Sequence, residues 1–165
     1  MRSSAKIVAA TAVALVAAAT AARARGEELA KSECQSVGRV DTFEAAGDRD
    51  GHGILAATVS CSFVSGAMDG GLATVQYLFE WDKTTGALLS EGGVIRKPGA
   101  IVVFQMTEGK IALTMAEGKV TGFTASGKGR VPFASGGAAA WAGKTFSWES
   151  KGVGFGRYEA IWTAD

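Results

Sequence analysis

The sequence predicts an all-β protein, a single antiparallel, mainly up-and-down β-barrel of about eight strands. Hydrophobic and polar residues alternate over much of the chain, and glycine-containing turn signals recur at short intervals. No stretch has the length and periodicity of an amphipathic helix. About nine consecutive antiparallel strands would leave long exposed edges in a flat sheet, and closure into a barrel removes them. A two-sheet β-sandwich is the alternative.

The first predicted strands are separated by short polar or glycine-containing segments. These turn signals lie at residues 48–51, 70–71, 83–86 and 98–99. Between them the alternation predicts strands near 37–45, 53–64, 72–82, 86–96 and 100–107.

The strand near 72–82 has the clearest alternation. It places Val75, Tyr77, Phe79 and Trp81 on one face, the longest aromatic stripe in the chain. Such a stripe fills a packed barrel core or lines an apolar pocket. Tyr77, Phe79 and Trp81 are therefore candidate ligand-binding residues, with ordinary core packing as the alternative.

Three glycine-containing signals recur every nine residues between 107 and 134. They predict tight turns at 108–110, 117–119 and 126–128, joined by strands of about six residues. The alanine-rich segment 135–143 interrupts the pattern and predicts one helical turn, or a loop that carries Trp141 into the core. Two more strands are expected near 144–150 and 154–163.

The N-terminus has the organisation of an export signal. Arg2 and Lys6 precede a mostly apolar run over 7–22, and Ala22-Arg23-Ala24 matches a small-x-small cleavage site. The run of about 16 residues is shorter than a membrane-spanning helix requires. We therefore expect residues 1–24 to be a cleaved signal peptide and 25–165 to be one exported domain, periplasmic or secreted. An uncleaved anchor is the alternative.

Charge and composition exclude some partners. Loss of the signal would remove three basic residues and change the formal net charge from +1 to −2. A nearly neutral, mixed-sign chain gives no reason to expect nucleic acid or an anionic membrane surface as partner. Net charge gives no information about binding of a small neutral ligand. Nothing in the sequence indicates an oligomeric state.

Two cysteines are present, Cys34 and Cys61, and an exported chain favours a disulfide between them. The bond would close a loop of about 27 residues and contribute about 3 kcal/mol on the chain-entropy estimate. Two reduced, buried thiols are the alternative. We expect Cys61 to lie in mid-strand, on the same face as Val59 and Phe63.

The sequence predicts no metal, cofactor or catalytic residue. Residues 48–53 resemble the start of a calcium-binding loop, but Val59 stands where a bidentate glutamate would be required. A tight polar turn is the better interpretation. His52 is the single histidine and is predicted to be a solvated turn residue. A histidine-based zinc site or a Ser-His-Asp triad is therefore not expected.

Arg157 and Glu159 are further candidate ligand-binding residues. They share one face of the last predicted strand with Phe155, while Tyr158 and Trp162 occupy the other. If the Phe155 face points inward, an ion pair lies inside the barrel, where buried charges mark a site or a structural network. If the Tyr158 face points inward, Arg157 and Glu159 form a solvated pair, which is the favoured interpretation.

Residues 152–162, after a glycine-punctuated meander and behind a signal peptide, resemble the closing strand of small exported bacterial barrels. These barrels are similar to the allene-oxide-cyclase-like and calycin groups. The resemblance implies an up-and-down barrel of about eight strands. No positions match the functional residues of the cyclase, and none are carried over.

For function, the sequence favours a non-catalytic exported protein that binds a small apolar ligand or a protein partner. A structural or protein-inhibitory module is the first alternative. An enzyme of the cyclase or isomerase type is the second. The volume inside the barrel separates these hypotheses, because ligand pockets usually enclose several hundred Å³.

Overall fold

The structure, a computed structural model, describes residues 26–38, 42–154 and 156–165. The predicted signal peptide and its cleavage site lie outside the described residues. The described residues form nine strands in chain order: β1 (Glu28–Ser36), β2 (Thr42–Ala45), β3 (His52–Phe63), β4 (Leu72–Asp82), β5 (Thr85–Lys97), β6 (Ala100–Ala116), β7 (Lys119–Gly136), β8 (Thr145–Gly154) and β9 (Arg157–Ala164). Within the described residues, no helix is long and apolar enough to cross a membrane.

The sheet closes on itself and forms the predicted barrel. Its order is β1-β9-β8-β7-β6-β5-β4-β3, every pair is antiparallel, and β1 also pairs with β3. Because β1 and β3, the two ends of this order, pair with each other, the eight strands form a closed barrel. The ninth, β2, extends the same side of β3 beyond the end of β1. The barrel prediction is confirmed, and the two-sheet sandwich is wrong.

The predicted strand lengths between 107 and 134 are wrong. Strands β6 and β7 have 17 and 18 residues and run without interruption through two of the three predicted turns, at 108–110 and 126–128. Only the middle signal is a turn, where Glu117 and Gly118 adopt φ angles of +50° and +74°. Gly109 instead pairs with Gly127 across the two strands.

The glycines in these strands make room for neighbouring atoms. A Cβ added to Gly109 would lie 2.8 Å from the Trp148 ring, and one added to Gly129 would lie 2.3 Å from the Phe146 ring. At Gly127 the obstacle is the carbonyl oxygen of Glu108. These glycines therefore permit close approach within the sheet, and at 109 and 127 the nine-residue spacing does not mark a turn.

The N-terminal part of the barrel also differs from the prediction. Strand β1 was not predicted and precedes the first predicted strand, near 37–45. Of that predicted strand the structure shows only the β2 portion, and residues 39–41 lie outside the described residues. The expectation for 135–143 is confirmed, because residues 139–141 form one 3₁₀ turn that buries Trp141 to 5% exposure.

The two ends of the barrel are built differently. The β3–β4 and β7–β8 connections lie at one end, which we call the capped end, and they bury Met68 and Trp141. The β4–β5, β6–β7 and β8–β9 turns lie at the opposite end, which we call the far end.

The predicted disulfide is present and ties the first strand to the third. Cys34 and Cys61 stand directly opposite each other in the β1–β3 ladder, with their Cα atoms 4.1 Å apart. Cys61 lies between Val59 and Phe63, and all three side chains are buried in the barrel, as the alternation predicted.

Candidate functional site in the far half of the barrel

The half of the barrel nearest the capped end is filled by aromatic side chains. Trp162 stacks on Phe146, with ring centroids 4.7 Å apart, and contacts Phe104 and Phe63 edge to face at 4.8 and 5.6 Å. All four rings are buried. This half is therefore a packed core, with interplanar angles typical of favourable aromatic pairs.

The interior beyond this core contains a cavity of about 50 Å³. Several of its wall residues are only partly buried, although they point inward, because they lie toward the far end: Tyr77, Glu91, Ile111, Phe123 and Tyr158. The disulfide forms part of the wall on the β1–β3 side. The far half is thus less completely filled than the capped half.

Among the described residues that line the cavity, Glu91 is the one with a charged side chain. It lies in the middle of β5, opposite Tyr77 of β4 and Met106 of β6. Burial among apolar groups disfavours the ionised carboxylate and raises the pKa of Glu91 to about 7. The carboxyl group therefore changes its charge near neutral pH, whereas an ordinary glutamate is fully ionised there.

Two tyrosines and a phenylalanine line the same cavity as this carboxyl group. Tyr158 stands on β9, on the opposite side of the barrel from β5, and its ring contacts Phe123 edge to face at 5.7 Å. Burial raises the pKa of Tyr158 well above its usual value, and the charges of Glu91 and Tyr77 add to the effect. The far half thus combines aromatic surface with three groups capable of hydrogen bonding.

Two buried indole groups also belong to the cavity wall. The Nε1 atoms of Trp148 and Trp162 are inaccessible to solvent, and no acceptor among the described residues takes a hydrogen bond from either. A buried N–H without an acceptor costs about 1–3 kcal/mol. The wall therefore offers donors as well as the Glu91 carboxyl group.

The predicted aromatic stripe is inward-facing, but its members play different parts. Tyr77 and Phe79 line the cavity, and their rings contact each other at 5.6 Å. Trp81 lies closer to the end of β4, is not on the cavity wall, and donates its Nε1–H to the Lys83 carbonyl oxygen at 2.8 Å. The structure therefore brings Tyr77 and Phe79, but not Trp81, together with Glu91.

Arg157 and Glu159 lie on the outer face of β9. The strand points Ala160 and Trp162 into the barrel, so the face of Tyr158 is the inner one. Glu159 pairs with Lys151 of β8 at 3.5 Å, where both side chains are at least half exposed. Arg157 and Glu159 border an outer depression of about 260 Å³ and are separated from the cavity by the barrel wall.

The prediction that His52 is a solvated turn residue is wrong. His52 begins β3, its side chain is 12% exposed, and its ring bridges Asp48 at 2.5 Å and Glu80 at 3.1 Å. The hydrogen bond with Asp48, aided by that with Glu80, raises the pKa of His52. This cluster ties the turn before β3 to β4. Among the described residues, no three His, Cys, Asp or Glu side chains are arranged to hold a metal ion.

A larger groove of about 910 Å³ crosses the outer surface from β4 to β9. Charged side chains of both signs border it, among them Asp82, Lys110 and Glu149. Glu159 lies at its edge, so one predicted ligand-binding residue belongs to this outer surface.

Sequence reasoning missed Glu91 because of a β-bulge. The β4–β5 register shifts where Leu78 pairs with Ser90 but Phe79 pairs with Leu88, so that Leu89 is an extra, exposed residue. Strict alternation from Leu88 would have placed Glu91 outside the barrel. No feature of the β5 sequence signals this bulge.

No protein-family model matches the chain, and no curated protein shows significant similarity to it.

Proposed function

We propose that this is an exported, non-catalytic β-barrel protein that binds a small, mainly apolar ligand in the far half of the barrel. The contrast between the two halves of the interior supports the proposal. The capped half is filled by stacked rings, whereas the far half combines partly buried aromatic side chains with a cavity and several polar groups. Apolar walls with a few placed polar groups are typical of ligand sites.

The volume limits the ligand. A cavity of about 50 Å³ is well below the several hundred Å³ typical of ligand pockets, so the enclosed volume by itself favours a packed interior and the proposal depends on the contrast between the two halves. It is also smaller than the roughly 150 Å³ site that accepts benzene in an engineered apolar core. Only a small group therefore enters the cavity itself. The remainder of the ligand extends toward the far end, along the partly exposed side chains of Ile111, Phe123 and Tyr158.

Two features support export. Disulfides persist in oxidising compartments, and the Cys34–Cys61 bond is part of the barrel wall. The sequence of residues 1–24 has the order of a cleavable signal. Sequencing the N-terminus of protein recovered outside the cytoplasm should give a start near Arg25, and a chain that still carries residues 7–22 would contradict cleavage.

The outer groove favours a second candidate function, docking of a protein partner. Its volume of about 910 Å³ and its mixed charges suit a polypeptide surface better than a small apolar molecule. In that case the barrel interior would serve stability alone, and no small ligand would compete with the partner.

The experiment is a titration of the ¹⁵N-labelled protein with 1-hexanol, observed at the indole N–H resonances. We expect saturable shifts for Trp148 and Trp162, which line the cavity, and none for Trp141, which lies under the cap. Ser150→Leu fills part of the cavity and should abolish the shifts. Ser62→Leu places the same side chain on the outer face of β3 and should leave them unchanged.

Two results would contradict ligand binding in the barrel. One is the absence of a saturable shift in the wild-type protein at any soluble concentration of 1-hexanol. The other is equal binding by the wild-type protein and Ser150→Leu, with Ser150→Leu shown to be folded by its circular dichroism spectrum.

A further inference from the structure

Glu91 has no cationic partner inside the barrel among the residues that the structure describes. The described residues that line the cavity include no lysine, arginine or histidine. Its neighbours in the β4–β5–β6 ladder are Tyr77 and Met106, and Tyr158 lines the same cavity from β9, on the opposite side of the barrel. A carboxylate in such surroundings is unfavourable unless it is protonated or paired with a positive charge. A ligand can supply that charge.

Aromatic rings dominate the remainder of the same wall. Tyr77 and Phe79 form one edge-to-face pair, and Phe123 and Tyr158 form another. Aromatic faces attract cations through the ring quadrupole, and the attraction is stronger in a site that excludes water. A carboxyl group set among aromatic rings is therefore chemically suited to an organic cation.

We propose that the barrel recognises a protonated primary amine, whose ammonium group pairs with Glu91 while its apolar portion lies among the rings toward the far end. The inference rests on the proposed ligand-binding function and names the ligand class. An ammonium group is about the size of a water molecule, so it fits the 50 Å³ cavity without rearrangement.

The electrostatics of the site predict how binding depends on pH. Below pH 7 the Glu91 carboxyl group is mostly protonated and must release its proton to water before it pairs with an ammonium group. Affinity for the amine should therefore rise about tenfold per pH unit below pH 7 and level off above it.

Other titrating groups do not account for such a profile. Within the described part of the chain, the other titratable side chains that line the cavity with Glu91 are Tyr77 on β4 and Tyr158 on β9, and tyrosines titrate near pH 10 or above. On the remaining strands the lining residues are apolar, seryl or disulfide-bonded. The His52 cluster lies on the outer surface, beyond the wall formed by β3 and β4.

The test compares hexylamine, which is protonated below about pH 9, with 1-hexanol, its neutral analogue of similar size. Dissociation constants are measured by the indole shifts between pH 5.5 and 8.5. At pH 8 hexylammonium should bind at least about tenfold more tightly than 1-hexanol. At pH 5.5 that preference should fall by more than about tenfold, while 1-hexanol binding changes little.

The isosteric variant Glu91→Gln should lose both the preference for the amine and its pH dependence, and should retain 1-hexanol binding. Glu44→Gln, an exposed position on β2 outside the barrel and the outer groove, should behave as the wild type. Equal binding of the two probes at pH 8, or a preference for the amine that survives in Glu91→Gln, would overturn the inference and leave the proposed function standing. Failure of both probes to bind the wild-type protein would overturn both.

Discussion

The buried carboxyl group of Glu91 should make the protein less stable as the pH rises. Its pKa is about 7 in the folded protein, against an ordinary value near 4.5 in the unfolded chain. Between these values the folded state binds more protons than the unfolded state, so the free energy of unfolding falls with increasing pH. The loss begins above about pH 4.5 and is complete above the folded-state pKa.

The expected magnitude follows from the two pKa values. At about 1.4 kcal/mol per pH unit, a difference of about 2.5 units means that ionisation of Glu91 costs the folded protein at most about 3.5 kcal/mol. Because the side chain keeps partial exposure on the cavity wall, we expect a measured cost of about 1–3 kcal/mol. Glu91→Gln cannot ionise, so its stability relative to the wild type should increase by this amount between pH 4.5 and 8.5.

The assay is urea unfolding of the oxidised protein, followed by tryptophan fluorescence and circular dichroism at several pH values. His52 has a raised pKa as well, and the stability it contributes is lost as the pH rises through that pKa. That contribution is common to wild type and variant, so the difference between them isolates Glu91. Glu149→Gln is the control for removal of an exposed carboxylate. A difference for Glu91→Gln that stays constant within about 0.5 kcal/mol across the pH range would refute the burial of this carboxyl group.

Two further predictions concern the barrel wall. Gly129→Ala should lower the free energy of unfolding by about 1–3 kcal/mol, because the new Cβ would lie 2.3 Å from the fully buried ring of Phe146. Gly122→Ala on the same strand is the control, because its Cβ would have its nearest contact at 3.8 Å, and it should change the free energy of unfolding by less than about 0.5 kcal/mol. Equal stabilities of the two variants in urea would contradict this prediction. Replacement of Cys34 and Cys61 together by alanine should cost about 2–5 kcal/mol and preserve the β-type circular dichroism spectrum, and an unchanged urea midpoint would show that the bond contributes nothing.

The sequence predicts correctly those parts of the fold that depend on a single feature, such as the alternation of inward and outward side chains along one strand. In β4 the alternation is uninterrupted, and the inward positions of Tyr77 and Phe79 follow directly from it. The disulfide followed from the cysteine count and the compartment, and the structure places its two residues directly opposite each other in the ladder. Closure into a barrel followed from the need to remove strand edges.

The errors arise where one residue type serves two physical purposes. Glycine at 109 and 127 was interpreted as a turn former, but these positions need glycine because neighbouring atoms leave no room for a Cβ. Sequence alone does not contain the cross-strand contacts that distinguish the two uses. The Leu89 bulge hides Glu91 for a related reason, because a register shift is a property of a strand pair.

The fit of Phe146 over Gly129 also bears on strand alignment. In the β7–β8 ladder Phe146 faces Gly129, and a Cβ at that glycine would lie against the Phe146 ring. Slippage of β8 by two residues in one direction would bring Phe146 opposite Val131, whose side chain occupies the space that Gly129 leaves open. Glycine-rich strands are ordinarily prone to such misalignment. Here one glycine–aromatic pair opposes slippage in that direction, so an abundance of glycine does not by itself leave the pairing of these strands undefined.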